Sequence, residues 1–61
     1  MKTVITIETY QELSEDYCGL CDACGSVQGR VEPDATNYAC EACGACEVHG
    51  ADEYLINGNV E

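Results

Sequence analysis

One six-residue unit is written twice in this chain, CDACGS at 21–26 and CEACGA at 40–45. Four of the six positions are identical and the second is acidic in both copies. Cys21, Cys24, Cys40 and Cys43 therefore form two Cys-x-x-Cys-Gly hooks with fifteen residues between them, a spacing that suits four thiolates around one zinc ion. A three-residue pitch lets a single chain reversal aim two sulfurs at one point. The glycine after each second cysteine allows positive φ, so the chain can curl back and turn amide hydrogens toward the sulfurs.

The rest of the chain makes such a staple necessary. A domain of 61 residues buries only roughly 60% of the surface its unfolded form exposes. There is no Phe and no Trp, and the largest side chains are four tyrosines, Tyr10, Tyr17, Tyr38 and Tyr54. A structural zinc site contributes an apparent ~10–16 kcal/mol, against ~3–5 kcal/mol from a core this small, so the metal decides whether the chain folds.

Twelve carboxylates face Lys2 and Arg30, for a formal net charge of −10, and four thiolates on one zinc add about −2 more. That balance repels phosphate backbones and anionic membranes, so neither nucleic acid nor membrane is an expected partner. The N-terminus MKTVITIETY has no hydrophobic signal core, and no apolar run approaches membrane-spanning length. These features read as a cytoplasmic chain, where thiols stay reduced and paired Cys-x-x-Cys units favour metal over disulfides.

Along the chain, β-branched residues predict a short strand over 3–8, and Thr9 with Glu12 predicts the start of a helix running to Tyr17, with Tyr10, Leu13 and Tyr17 on one face. The first hook spans 19–25. Gln28-Gly29 suggests a tight turn between two short strands within 27–31. Pro33 lacks a ladder donor, so 32–34 reads as a bend leading to the second hook. Val48 and His49 suggest a strand, Gly50 a break, and 51–56 a helical turn ended by Asn57-Gly58. The expected organisation is a single domain over 1–61. It comprises an N-terminal strand and acidic segment (1–17), a metal-binding ribbon (18–49) and a C-terminal acidic tail or short helix (50–61). The fold class is a small metal-stabilised domain: a zinc ribbon with two CxxCG knuckles, short β-strands or hairpins, and little helix.

Cys18 and Cys46 extend the hooks to CGLCDAC and CEACGAC. Aligning the two copies sets Cys18 opposite Asn37 and Cys46 opposite Val27, so the extra cysteines are not equivalent in the duplication. They read as spare thiols, alternates for the main site, or a disulfide pair. Cys46-x-x-His49 has ligand spacing for a second metal, but two tetrahedral ions need about eight ligands, and six cysteines with His49 supply seven. Otherwise His49 reads as an exposed strand residue. Iron is the rival metal, because rubredoxins use the same hooks around one redox-active iron, though they usually surround it with an aromatic core. A ferredoxin-type cluster lacks its fourth Cys-Pro ligand in either run. A zinc held by four thiolates has no open position, and no serine–histidine–carboxylate set, phosphate loop or H-E-x-x-H is present, so no enzyme is expected.

The stretch from Leu20 to Gly58 resembles small, largely uncharacterised zinc-ribbon proteins, with rubredoxin-type knuckles, met in bacteriophage and prophage genomes. The residues that carry the likeness are Cys21-x-x-Cys24-Gly25, then VEPDA at 31–35 with Asn37-Tyr38-x-Cys40, Cys43-Gly44, and Val48-x-Gly50-Ala51-x-Glu53-x-Leu55. The resemblance implies the same four ligands, while Cys18 and Cys46 depart from the pattern. It carries no established activity. The expected function is a non-enzymatic acidic module that binds a basic protein partner, in the phage setting a host protein. The alternatives are an iron protein in electron transfer and a nucleic-acid-mimicking inhibitor.

Overall fold

The computed structural model describes residues 3–61. Five elements follow in order: α1 (Ile7–Glu15), β1 (Cys18–Cys21), β2 (Val27–Gly29), β3 (Val48–Gly50) and α2 (Ala51–Ile56). The strands form one antiparallel sheet in the order β2-β1-β3.

The N-terminal segment departs from the strand that its β-branched residues suggest. Only Ile5 pairs, through a single parallel bridge to Val60, and the helix starts at Ile7. Thr6, not Thr9, is the N-cap: its backbone is extended and its hydroxyl accepts the Thr9 amide at 3.1 Å. Leu13 is buried and Tyr10 packs beside it, but Tyr17 falls outside the helix at φ 51° and is 60% exposed. The Gln28-Gly29 turn is likewise absent, because both residues lie in β2 opposite Gly19 and Cys18.

Alternation along β1 separates two cores. Cys18 and Leu20 face the helices, where Leu20 joins Ile5, Leu13, Ala51 and Tyr54. Cys21 belongs to a second cluster with Val31, Ala35, Cys40 and Val48. The buried Tyr54 hydroxyl donates to the Leu20 carbonyl at 2.7 Å, and the Tyr10 hydroxyl donates to Asp52 at 2.9 Å, joining the two helices. That bond and the nearby carboxylate charge hold the Tyr10 phenol above its ordinary pKa, and burial does the same for Tyr54.

The VEPDA segment lies against β3 because Gly50 has no side chain. A Cβ there would meet the carbonyl oxygens of Glu32 and Pro33. The Gly50 amide donates to the Ala35 carbonyl and the Asp52 amide to the Pro33 carbonyl, each at 2.9 Å, so the loop caps a helix that has no side-chain cap of its own. Gly50→Ala should therefore cost about 3 kcal/mol, which lowers Tm by roughly 12–24 °C in a domain this size. Gly29→Ala, with nothing within 4 Å of the added carbon, should stay within about 0.5 kcal/mol. A thermal melt of the two variants side by side checks the contrast.

α2 ends at Asn57-Gly58 as the sequence suggests, with Gly58 at φ 74°. The final residues are not a loose tail. Ile5 donates to Asn59, Glu61 to Ile5 and Ile7 to Glu61, at 2.8–2.9 Å. Among the described residues no helix is long and apolar enough to cross a membrane.

Candidate metal centre

Each hook closes an antiparallel pair. The first lies between β1 and β2, and the second between Tyr38 and Val48, which exchange backbone hydrogen bonds at 3.0 and 3.1 Å. Cys21 stands opposite Val48 in the β1–β3 register, so both turns leave the same end of the sheet.

The two turns bond alike. Gly25 donates to the Cys21 carbonyl and Gly44 to the Cys40 carbonyl, each at 2.9 Å, and both glycines have positive φ, 81° and 79°. Cys21 donates to the Ser26 carbonyl at 2.9 Å, and Cys40 to the Ala45 carbonyl at 2.8 Å. The Cys24 amide points at Cys21 Sγ from 3.5 Å, and the Cys43 amide at Cys40 Sγ from 3.4 Å. A side chain at either positive-φ position would be strained, which is why glycine recurs there.

Together the turns bring Cys21, Cys24, Cys40 and Cys43 into one group whose sulfurs all lie within 4.8 Å of one another. Cys21 and Cys43 are 3.7 Å apart, and Cys24 and Cys40 are 3.6 Å apart. A disulfide would need ~2.05 Å. A tetrahedral ion with metal–sulfur bonds of ~2.3 Å would set the sulfurs ~3.8 Å apart, close to what the chain presents. Cys21 and Cys40 are buried, while Cys24 and Cys43 are exposed and form the open edge of the group.

The thiols do not ionise alike. The Ser26 hydroxyl and then its amide pull Cys24 down to about 6, with Cys24 Sγ 3.3 Å from Ser26 Oγ. The Cys43 amide lowers Cys40. At Cys43 the Ala45 amide pulls down, but the sulfurs of Cys40 and Cys24 outweigh it, and the thiol is pushed up to about 12. Four sulfurs this close cannot all carry charge unaided, and a cation that replaces the protons resolves the conflict.

The proposed alternates stand apart from this group. Cys18 faces the helical core, with its thiol 3.6 Å from the Asp16 carbonyl. Cys46 is exposed beyond the second turn. His49 is not exposed: it is 8% exposed, facing Tyr54, with Nδ1 2.9 Å from the Thr36 hydroxyl and 3.4 Å from the Asn37 amide. An amide can only donate, so Nδ1 is the acceptor there and the ring proton sits on Nε2. The loop over β3 covers this histidine, an arrangement that local sequence does not signal.

Three residues near the cysteines went unread in the sequence. Ser26 breaks the equivalence of the turns, because Ala45 holds its place in the second copy. Asp22 is buried, accepting the Thr3 amide at 2.8 Å, while the matching Glu41 is exposed. Gln28 reaches from β2 to both sides of Cys40. The sixth position of the aligned hexamers, Ser in CDACGS and Ala in CEACGA, carries the first asymmetry in the sequence; the other two depend on contacts between distant segments.

Comparison with known protein families, curated proteins and solved structures finds no match for this chain. Fold and site define a small domain with a three-stranded antiparallel sheet, two short helices and a cysteine tetrad arranged to hold a metal ion.

Proposed function

We propose that this chain is a non-enzymatic zinc ribbon whose two knuckles hold one Zn²⁺ through Cys21, Cys24, Cys40 and Cys43, and that it serves as an acidic docking module for a basic protein. The observation that carries the reading is the tetrad itself, with sulfur pairs at 3.6 and 3.7 Å. Four thiolates fill a tetrahedral zinc, which leaves no position for water or substrate and gives the ion a structural role. The cluster around the buried sulfurs is small and aliphatic, built of Val31, Ala35 and Val48 without an aromatic ring.

Nine of the twelve carboxylate side chains, including Glu12, Glu15, Asp16, Glu41 and Glu47, are exposed. Asp22 and Asp52 are taken up by internal hydrogen bonds. The acidic surface supports docking onto a basic partner, in the phage setting of the resemblance a host protein, with an association rate that falls as salt rises.

The open Cys24–Cys43 edge would also serve electron exit, and iron in electron transfer is the rival reading. Metal analysis with an absorption spectrum, on protein purified from its native host, separates the two. One zinc per chain and no visible absorption supports the proposal, and a thiolate-to-iron charge-transfer spectrum overturns it. Amides at Glu12, Glu15 and Asp16, then at Glu41 and Glu47, should lower the association rate for the partner. Micromolar binding to nucleic acid at physiological salt would refute the docking assignment.

A further inference from the structure

The two cysteine turns share their internal bonds and differ in what holds them from outside. In the first, the groups flanking Cys21 are met by the folded body. The Tyr54 hydroxyl donates to the Leu20 carbonyl at 2.7 Å, and the Asp22 amide donates to the Glu47 carbonyl at 2.8 Å. The corresponding groups of the second turn, nineteen residues on, are the Ala39 carbonyl and the Glu41 amide. One side chain meets both. Gln28 Nε2 donates to the Ala39 carbonyl at 3.2 Å, and Gln28 Oε1 accepts the Glu41 amide at 3.1 Å. The carbonyl only accepts and the amide only donates, so the partners fix which way the Gln28 amide points.

We propose that Gln28 is the positioning residue of the metal centre, a clamp across Cys40 that sets the second pair of sulfurs against the first. The inference rests on the reading of the tetrad as a metal site. Gln28 lies on β2, the strand that leaves the first turn, so its two bonds tie one half of the site directly to the other. Cys40, the residue it brackets, is buried and supplies a sulfur 3.6 Å from that of Cys24. Groups outside the ligand set that orient the ligands are commonly worth about 10–100-fold in metal affinity. Both Gln28 bonds are open to solvent, whereas the Tyr54 bond on the first turn is buried. The second turn is therefore the half that opens first, and metal leaves through Cys40 and Cys43.

The test uses the zinc-loaded full chain in a Cys46→Ser background, with Gln28→Met, which keeps the length and removes both bonds, and Gln28→Asn, which keeps the amide but is one methylene short. Zinc release to a chromogenic chelator should speed up about tenfold in both. Under single-hit alkylation with N-ethylmaleimide, the labelling rates of Cys43 and Cys40 should rise, with the labelling rate of Cys24 unchanged. An equal rise at all four cysteines, or release at the unsubstituted rate, overturns the clamp. Should either variant fail to fold, the Glu41 amide of the unsubstituted zinc-loaded protein decides: slowed hydrogen exchange supports the clamp and unprotected exchange overturns it. Failure of the unsubstituted chain to take up zinc overturns the metal reading and the clamp together.

Discussion

Removal of the metal by a chelator at neutral pH should unfold this protein. Amide dispersion should collapse and return when one equivalent of zinc is restored. Two of the five residues in the cluster behind the site are the tetrad cysteines Cys21 and Cys40, which leaves that half only Val31, Ala35 and Val48 as its apolar side chains. The other half has Ile5, Leu13, Leu20, Ala51 and Tyr54. An ion worth an apparent ~10–16 kcal/mol exceeds the ~3–5 kcal/mol expected of such a core, so its loss takes the folded state with it. A chelated protein that keeps its melting temperature would show that the helical face stands alone.

Serine substitution should divide the six cysteines sharply. Cys21→Ser, Cys24→Ser, Cys40→Ser and Cys43→Ser each remove one sulfur of the tetrad and should abolish folding at stoichiometric zinc. Cys46→Ser, at an exposed position, should change stability by less than about 0.5 kcal/mol. Cys18→Ser places a hydroxyl against the helical core and should cost about 1 kcal/mol without altering zinc stoichiometry. Zinc titration with thermal melts across the six variants checks the order. Equal losses at all six would mean that the extra cysteines share the metal.

The tetrad was legible in the sequence because the duplication excludes Cys18 and Cys46 from equivalence, and the structure gathers the four remaining sulfurs. The helical turn after Gly50 and its stop at Gly58 were legible for local reasons, since glycine carries the conformational information itself. The misread segments share a different cause. Val4, Ile5 and Ile7 have strand propensity, but the partner of Ile5 is Val60, far along the chain, and Thr6 starts a helix before a strand can extend. Gln28-Gly29 has turn composition, yet β1 supplies a strand to pair with, hidden because CGLC reads as a metal hook. His49 was expected at the surface because nothing local shows that residues 35–38 return over β3.

The matched bonding of the turns has a consequence for assembly. Exchanging the two turns maps Cys21–Cys43 onto Cys40–Cys24, and those separations agree at 3.7 and 3.6 Å, as a local two-fold axis through the site requires. The two half-sites differ in side chains, Ser26 against Ala45 and Asp22 against Glu41, and not in the backbone bonds of the turn that presents the sulfurs. The fifteen-residue tether selects the partner, by holding the second half at an effective concentration on the order of millimolar.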